Sequence, residues 1–409
     1  MRDVRRPVFV KPEARYTEIG VRSHGRGVFH KEPVTGEDLG NKRVFWLKPG
    51  TLVFNIVFAW ERAVAVLSED EAGLIASHRF PMYEMVPGRA DARFMKHYFT
   101  TGYGHYLLRL NSPGAAGRNK TLNQSALMKE EVWLPPADTQ RAIADFLDRK
   151  TAAIDALISK KERLLELLAE QRAALIHRAV TRGLDPNVKL KDSGVECIGE
   201  VPAHWEVCPL GYCATFQGGS TPSKQEPRFW GGSVPWVSPK DMKVFEIADS
   251  TDRVTQAALT ETSLRLVSAG ATLIVVRGMI LARTLPVAIT TAPVTLNQDM
   301  KAIRPAKRIH PRFLAWQLRA RVPEVMMLVD EAGHGTKALR TDLLSKMRVL
   351  VPPIGEQERL MAALDDQVGR IELVEERLGT ALDRLREYRQ ALITAAVTGQ
   401  LDLSSEAAA

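Results

Sequence analysis

Shifted by 217 residues, this chain falls on itself. LPPADTQ at Leu134–Gln140 lands on VPPIGEQ at Val351–Gln357, and the match runs without a gap to Asp185 and Asp402, with 18 identities in 52 positions. Near its end RAALIHRAVT meets RQALITAAVT. Upstream, the same offset places Ala115, Lys120, Leu122, Leu127 and Lys129 on Ala332, Lys337, Leu339, Leu344 and Lys346. Further upstream it drifts by a few residues but still pairs PGTLVF from Pro49 with AGATLIV from Ala269. A duplicated sequence folds as two like units. Each unit here reads as a globular module, a Pro-Pro break and a long helix.

The helices carry a heptad signal. In the second copy Leu364, Ile371, Leu378, Leu385 and Leu392 recur every seven residues, beside Leu360, Gln367, Val374, Ala381 and Tyr388. In the first copy the columns are Leu147, Ile154, Lys161, Leu168, Leu175 and Ile143, Lys150, Leu157, Leu164, Gln171. Such 4-3 spacing predicts a coiled-coil seam. Pro135-Pro136 stays outside the helix, Asp138 or Thr139 offers an N-cap, and Gly183 and Gly399 offer stops. Each helix should run about 40 residues, roughly 60 Å. The simplest pairing joins the two repeats antiparallel about a pseudo-twofold; a seam between two chains is the alternative.

Short β-rich runs such as Thr51–Val57 and Thr272–Val276 alternate with Gly, Pro and Asn breaks, and helices are expected at Asp91–Tyr98 and Pro311–Ala320. The expected fold class is therefore α+β. Two globular modules (1–133 and, with a Gly183–Leu210 linker, 186–350) are separated by two long antiparallel coiled-coil helices (134–185 and 351–403), before a tail at 404–409.

Charge follows the same division. Residues 1–133 hold 20 Lys+Arg against 14 Asp+Glu, and residues 187–350 hold 21 against 15. The 351–409 segment reverses the balance, 6 against 11. Two basic modules on spacers that do not share the charge suggest two grips on a polyanion. No apolar run reaches the eighteen residues of a membrane span, and the basic N-terminus lacks a signal-peptide core. Three cysteines (Cys197, Cys208, Cys213) fit a reducing cytoplasm, with Cys208 and Cys213 expected as core thiols rather than zinc ligands.

Catalytic signatures are missing from the sequence. Asp185-Pro186-Asn187-Val188 lacks the second Pro and the aromatic of an amino-methyltransferase loop. GAAGRNKT at Gly114–Thr121 has Asn119 where a phosphate loop needs Gly, and the histidines form no H-E-x-x-H. The chain reads as non-enzymatic, with no metal or cofactor site of its own.

The repeated unit resembles the specificity subunits of type I restriction–modification systems over essentially the whole chain. The helix-entry and helix-exit strings above carry the resemblance. With them go SGVECIGEVPAHWEV (Ser193–Val207), GGSTPS (Gly218–Ser223), FWGGSVPWVSPKDM (Phe229–Met242), VVRGMIL (Val275–Leu281), NQDMKAI (Asn297–Ile303) and GHGTKAL (Gly333–Leu339). YTEIGVRSHGRGVF (Tyr16–Phe29) and PGTLVFNIVFAW (Pro49–Trp60) fit in the first module. The resemblance implies two target recognition domains, each reading half of a bipartite DNA site, with the helices as a ruler for the gap. It also implies two docked modification subunits carrying S-adenosylmethionine chemistry, and restriction subunits using ATP and Mg. The first module has no counterpart of GEVPAHW or GGSTPS, so the chain is expected to begin inside its first recognition domain.

Base reading needs Arg, Lys, Asn, Gln and small polar side chains on loops that reach the major groove. In the second module the candidates are Gly218, Gly219, Ser220, Thr221, Lys224, Ser238, Lys240, Arg277, Gln298, His334, Gly335, Thr336 and Lys337. In the first they are Arg22, His24, Arg26, Asn55, Ser77, His78, Arg118, Asn119 and Lys120. Trp60, Trp230 and Trp236 are expected in the core rather than stacked on bases.

Overall fold

A computed structural model describes residues 1–114, 120–332 and 335–401. The chain packs into two units, Met1–Arg163 with the segment from Leu378 onward, and Leu164–Arg377. Each unit thus holds one module and a part of both long helices.

In the first unit a four-stranded antiparallel sheet runs in the order Arg2–Val4, Met82–Glu84, Leu52–Phe54, Val64–Val66. Helices Ala92–Thr100 and Gly102–Leu110 cover it. Leu52, Phe54, Phe94, Phe99 and Leu108 form a core with Ile143, Leu147, Leu392 and Ile393 of the long helices. In the second unit a five-stranded sheet has the order Ala214–Gly218, Met300–Pro305, Thr272–Val275, Val287–Thr290, Glu246–Ile247. Beside it Trp230–Val237 pairs with Arg253–Val254 and Thr295–Leu296. Helix Pro311–Ala320 begins and ends where its sequence pattern places it. The stretch read as a linker is packed: Val201 and Trp205 are buried with Ile176, Phe313 and Leu360. Cys208 and Cys213, expected as separate thiols, are joined in a disulfide.

The long helices span Ala137–Arg182 and Ile354–Val397, 46 and 44 residues. Both start directly after their proline pair, which places Asp138 and Thr139 inside the first turn rather than at a cap. The work of a cap falls to a buried glutamine instead. Gln140 Nε2 donates to the carbonyls of Pro135 (2.7 Å) and Arg89 (3.0 Å), and Oε1 accepts from the Asp91 N–H (3.0 Å). Gln357, 217 residues on, donates to Pro352 (2.7 Å) and Arg308 (2.9 Å) and accepts from the His310 N–H (2.7 Å). Both side chains are fully buried. Each ties its Pro-Pro turn to the segment that opens the module's own helix. At the other ends Gly183 and Gly399 take the left-handed conformation that closes a helix (φ 72° and 73°).

The seam confirms one expected column and moves most of the other, of which Ile143 and Leu360 are buried as expected. Leu147, Leu364 and Leu392 are buried, while Ile154, Lys161, Leu168, Leu175, Ile371, Leu378 and Leu385 are half-buried. The second column lies one residue further on: Ala144, Thr151, Ile158, Leu165, Arg172 and Ala179 in one helix, Met361, Val368, Glu375, Leu382, Arg389 and Ala396 in the other. Leu157, Leu164, Val374 and Tyr388, assigned inward by apolarity, are 42–56% exposed. Three positions of the observed column, Arg172, Glu375 and Arg389, are charged and sit there as ion pairs, which interrupts its apolar pattern. Arg389 makes a two-pronged contact with Asp155 (2.8 and 3.0 Å), and Arg172 reaches Glu372 (3.3 Å) and Glu375 (3.1 Å). Adding 217 to Arg172 gives Arg389, and subtracting it from Glu372 gives Asp155. The same pair therefore occurs once in each unit, with the roles of the two long helices exchanged.

Gln140→Ala and Gln357→Ala should each cost about 3 kcal/mol, because two carbonyls and one N–H lose their partner in a buried place. Chemical denaturation measures this, and losses below about 1 kcal/mol would show that the turns hold themselves. Ile371→Asp and Leu385→Asp should each lower thermal stability through an unpaired carboxylate in the seam. Wild-type melting in both would mean that this seam does not pair.

Candidate nucleic-acid interface

In the second unit the antiparallel register opposes Gly218 with Lys301 and Val275 with Met300. The loops that follow Gly218 and Val275 and the loop that precedes Met300 must therefore leave the sheet at one end. Gly219 permits this closeness: a Cβ there would lie 1.9 Å from the Asn297 carbonyl oxygen. The Ser220 N–H donates to Leu296 O (2.8 Å), and Thr221 donates to the Gln298 side chain. Trp236 and Trp230 donate their indole N–H groups to the carbonyls of Ser220 (3.0 Å) and Ser223 (3.1 Å). These tryptophans hold the loop from beneath, as part of a core with Phe229, Val254 and Leu264. Lys224 is exposed at its tip.

Arg277 joins the same end, held by Asp299 (2.9 Å) and bridged through its backbone to Ala338. The Gly278 N–H donates to Lys337 O (2.9 Å), while Lys337 Nζ pairs with Glu331 (3.0 Å). Thr336 opens the strand Thr336–Leu339, and Gly335 precedes it at φ 75°. Ser238 is buried, and its backbone and hydroxyl both donate to Asp241 (2.8 and 2.9 Å), so it caps a turn. Lys240 pairs with Asp252 (2.6 Å). Arg277, Lys337 and Lys240 are thus paired with carboxylates that keep contact with water, contacts weak enough to be exchanged for phosphates.

The first unit repeats this sheet end. In the second unit Val276 receives the Leu339 N–H (2.9 Å) at its carbonyl and donates its own N–H to Asp299 O (2.8 Å). In the first, Ile56 receives from Leu122 (2.8 Å) and donates to Arg79 O (3.0 Å). This ladder brings together Asn55, Ser77, His78 and Lys120. Asn55 accepts from the Val57 N–H in a tight turn (3.2 Å), and Lys120 lies over the Trp60 ring (5.1 Å). Ser77 ends a strand, and exposed His78 follows it. Arg118, Asn119 and His334 lie outside the described residues.

Arg22, His24 and Arg26 form a separate cluster, lining a cleft of about 740 Å³ with Arg62, Asp155, Glu162, Arg386, Arg389 and Gln390. Arg22 donates to Val28 O (2.7 Å), and Arg62 donates to His24 Nδ1 (3.2 Å) and to Gln390 (3.1 Å). Burial, then the Arg62 and Arg26 charges, holds the His24 pKa below the ordinary histidine value. Burial and the nearby Arg389 lower that of Arg62. Sequence reasoning missed Arg62 and Arg389. Nothing local distinguishes Arg62 within AWER, and Arg389 reads as a solvated helix position.

Residues 202–381 match the family model described as "Type I restriction modification DNA specificity domain". The chain is 36% identical over 168 residues, 41% of either chain, to the type I restriction enzyme EcoR124I/EcoR124II specificity subunit of Escherichia coli. Over this stretch the chain is similar to the DNA specificity domains of type I restriction–modification systems. The MjaIX specificity subunit of Methanocaldococcus jannaschii is 28% identical over 170 residues, 41% of this chain and 38% of that one. The alignments thus span about two fifths of these relatives' length. Two solved chains share this fold at 17% identity. One, from a study of complex assembly and conformational transition of a type I R-M system, aligns with a TM-score of 0.66 over 98% of both chains. The other, the HsdS subunit of Thermoanaerobacter tengcongensis, aligns at 0.52 over 95% of this chain and 92% of its own.

Gly219→Ala should loosen the sheet end and spare the sheet. Backbone amides of residues 218–224 and 296–299 are expected to exchange hydrogen at least about tenfold faster, and those of Leu273–Val275 at the native rate. Uniform acceleration would show that the loop and the sheet are one cooperative unit.

Proposed function

We propose that this chain is the DNA-sequence reader of a type I restriction–modification complex, each module recognising one half of a bipartite site. One observation carries the reading. The two modules build the same sheet end on the same backbone ladder but fill it with different side chains. Counting along that ladder from Arg79 and Asp299, His78 stands where Gln298 does, and Ser77 where Asn297 does. A common frame with unlike polar side chains is what two different base sequences require. Arg277, Gln298, Thr221 and Lys337 read on one side, and Asn55, His78 and Lys120 on the other. The Gly219 and Gly335 backbones allow close approach to phosphates.

The outward apolar residues of the helices, Leu157, Leu164, Val374 and Tyr388, serve as docking faces for two modification subunits. The chain itself is non-catalytic. S-adenosylmethionine chemistry belongs to those subunits, and ATP and Mg belong to restriction subunits that join them in the cytoplasm. The continuous helices fix the gap between half-sites.

Methylome sequencing of cells carrying variants tests both roles. Exchanging residues 207–350 for another recognition domain should change one half-site and leave the other half-site and the gap unchanged. Deleting one heptad within Asp155–Gln171 removes about 10 Å of helix, worth about 3 bp of duplex. It should alter the gap or abolish activity with both half-sites retained. A swap that altered both half-sites would sink modular reading. An unchanged gap in a still-active heptad variant would sink the ruler.

A further inference from the structure

The cleft beside the two long helices contains more positive charge than the protein itself neutralises. Arg386 is matched by Glu162 and Asp383, and Arg389 by Asp155. Arg22, Arg26 and Arg62 have no carboxylate within ion-pair distance among the described residues. Glu61, the acid nearest in sequence, is engaged by the Ser23 hydroxyl (2.8 Å). Three guanidinium groups therefore line one recess with neutral partners at most: a carbonyl for Arg22, a histidine and an amide for Arg62. The Arg62 Nε–H is buried and has no hydrogen-bond partner.

The backbone is strained at the same place. Among the described residues only two that are not glycine have positive φ, His24 (63°) and Arg62 (62°), and their side chains touch each other. Left-handed conformations at such residues persist where the surroundings enforce them, and they concentrate at binding sites. His24 also becomes a donor. With Nδ1 accepting from Arg62, the neutral ring carries its proton on Nε2.

We propose that this cleft is a phosphate-binding site, formed by Arg22, Arg26 and Arg62 with His24 as an additional donor. Guanidinium forks match the tetrahedral oxygens of phosphate, and several of them converging favour a multiply charged oxyanion over a single carboxylate. The phosphate comes either from the backbone of bound DNA or from a free phosphate compound. Only the first source rests on the DNA-reading function proposed above.

The full-length chain is melted in inorganic phosphate and in chloride at equal ionic strength, with acetate as the carboxylate control. Saturating phosphate should raise the melting temperature of the wild type by about 3 °C or more relative to chloride. Acetate should not. The increment should vanish in Arg62→Asn, whose replacement tolerates positive φ, and shrink in Arg26→Gln, which changes only an exposed side chain. In the assembled complex, the slope of log binding constant against log salt then identifies the source. If the phosphate is DNA's, Arg62→Asn makes the slope shallower by about 0.9 per lost contact. An unchanged slope with phosphate protection intact supports a free phosphate compound. Equal melting of wild type in phosphate and chloride, or equal protection by acetate, overturns the proposal. A chain that bound phosphate but never recognised DNA would refute the reader while leaving this site standing.

Discussion

Two buried glutamines connect everything else. A proline pair must break the chain where each module ends, and the broken backbone leaves carbonyls and an N–H inside the protein, where they cannot meet water. Gln140 and Gln357 each close that deficit with one amide, which both donates and accepts. A carboxylate could not donate, and an amine could not accept. The same amide fixes the angle at which a 44- or 46-residue helix leaves its module, because it grips the Pro-Pro turn and the module's own helix entry together. Small errors at that joint would be magnified along the length of the helix.

The helical hairpin is stabilised differently. Its ends are oily, with Ile143, Leu147, Leu392 and Ile393 in one unit and Ile176, Leu360 and Leu364 in the other. Between those ends, charged pairs join the leucines and isoleucines of the seam. Arg389 with Asp155 and Arg172 with Glu372 are half-exposed, so each contributes modestly to stability. Their larger effect is on alignment. A helix sliding by one turn would set these charges against the wrong neighbours, whereas leucines would slide at little cost.

Much of this was legible in the sequence, for identifiable reasons. The repeat, the Pro-Pro breaks, the closing glycines and helix Pro311–Ala320 each depend on local chemistry or on a comparison of the chain with itself. The first seam column was legible because leucine and isoleucine fill it. The second was not, since Arg172, Glu375 and Arg389 look like solvent-facing residues until their partners on the other helix are known. The sheet-end residues were legible as loop residues of suitable chemistry. That Asn55, Ser77, His78 and Lys120 meet at one end depends on strand register, which the sequence does not state. Ser238 was selected by type but is used as a turn cap. Arg62 carries no local signal, because its character comes from a left-handed backbone and a neighbour 38 residues away.

The ladder through Ile56 in one module and Val276 in the other consists of backbone groups alone. Such bonds are indifferent to residue identity, so the ladder itself does not depend on which side chains project from the sheet end. Positions like His78 and Gln298 can then mutate singly at little cost to folding, and drift can explore new polar surfaces on an unchanged frame. Duplication makes this freedom twofold, since one copy can diversify while the other keeps its surface. Fold and surface chemistry are in this sense separately heritable.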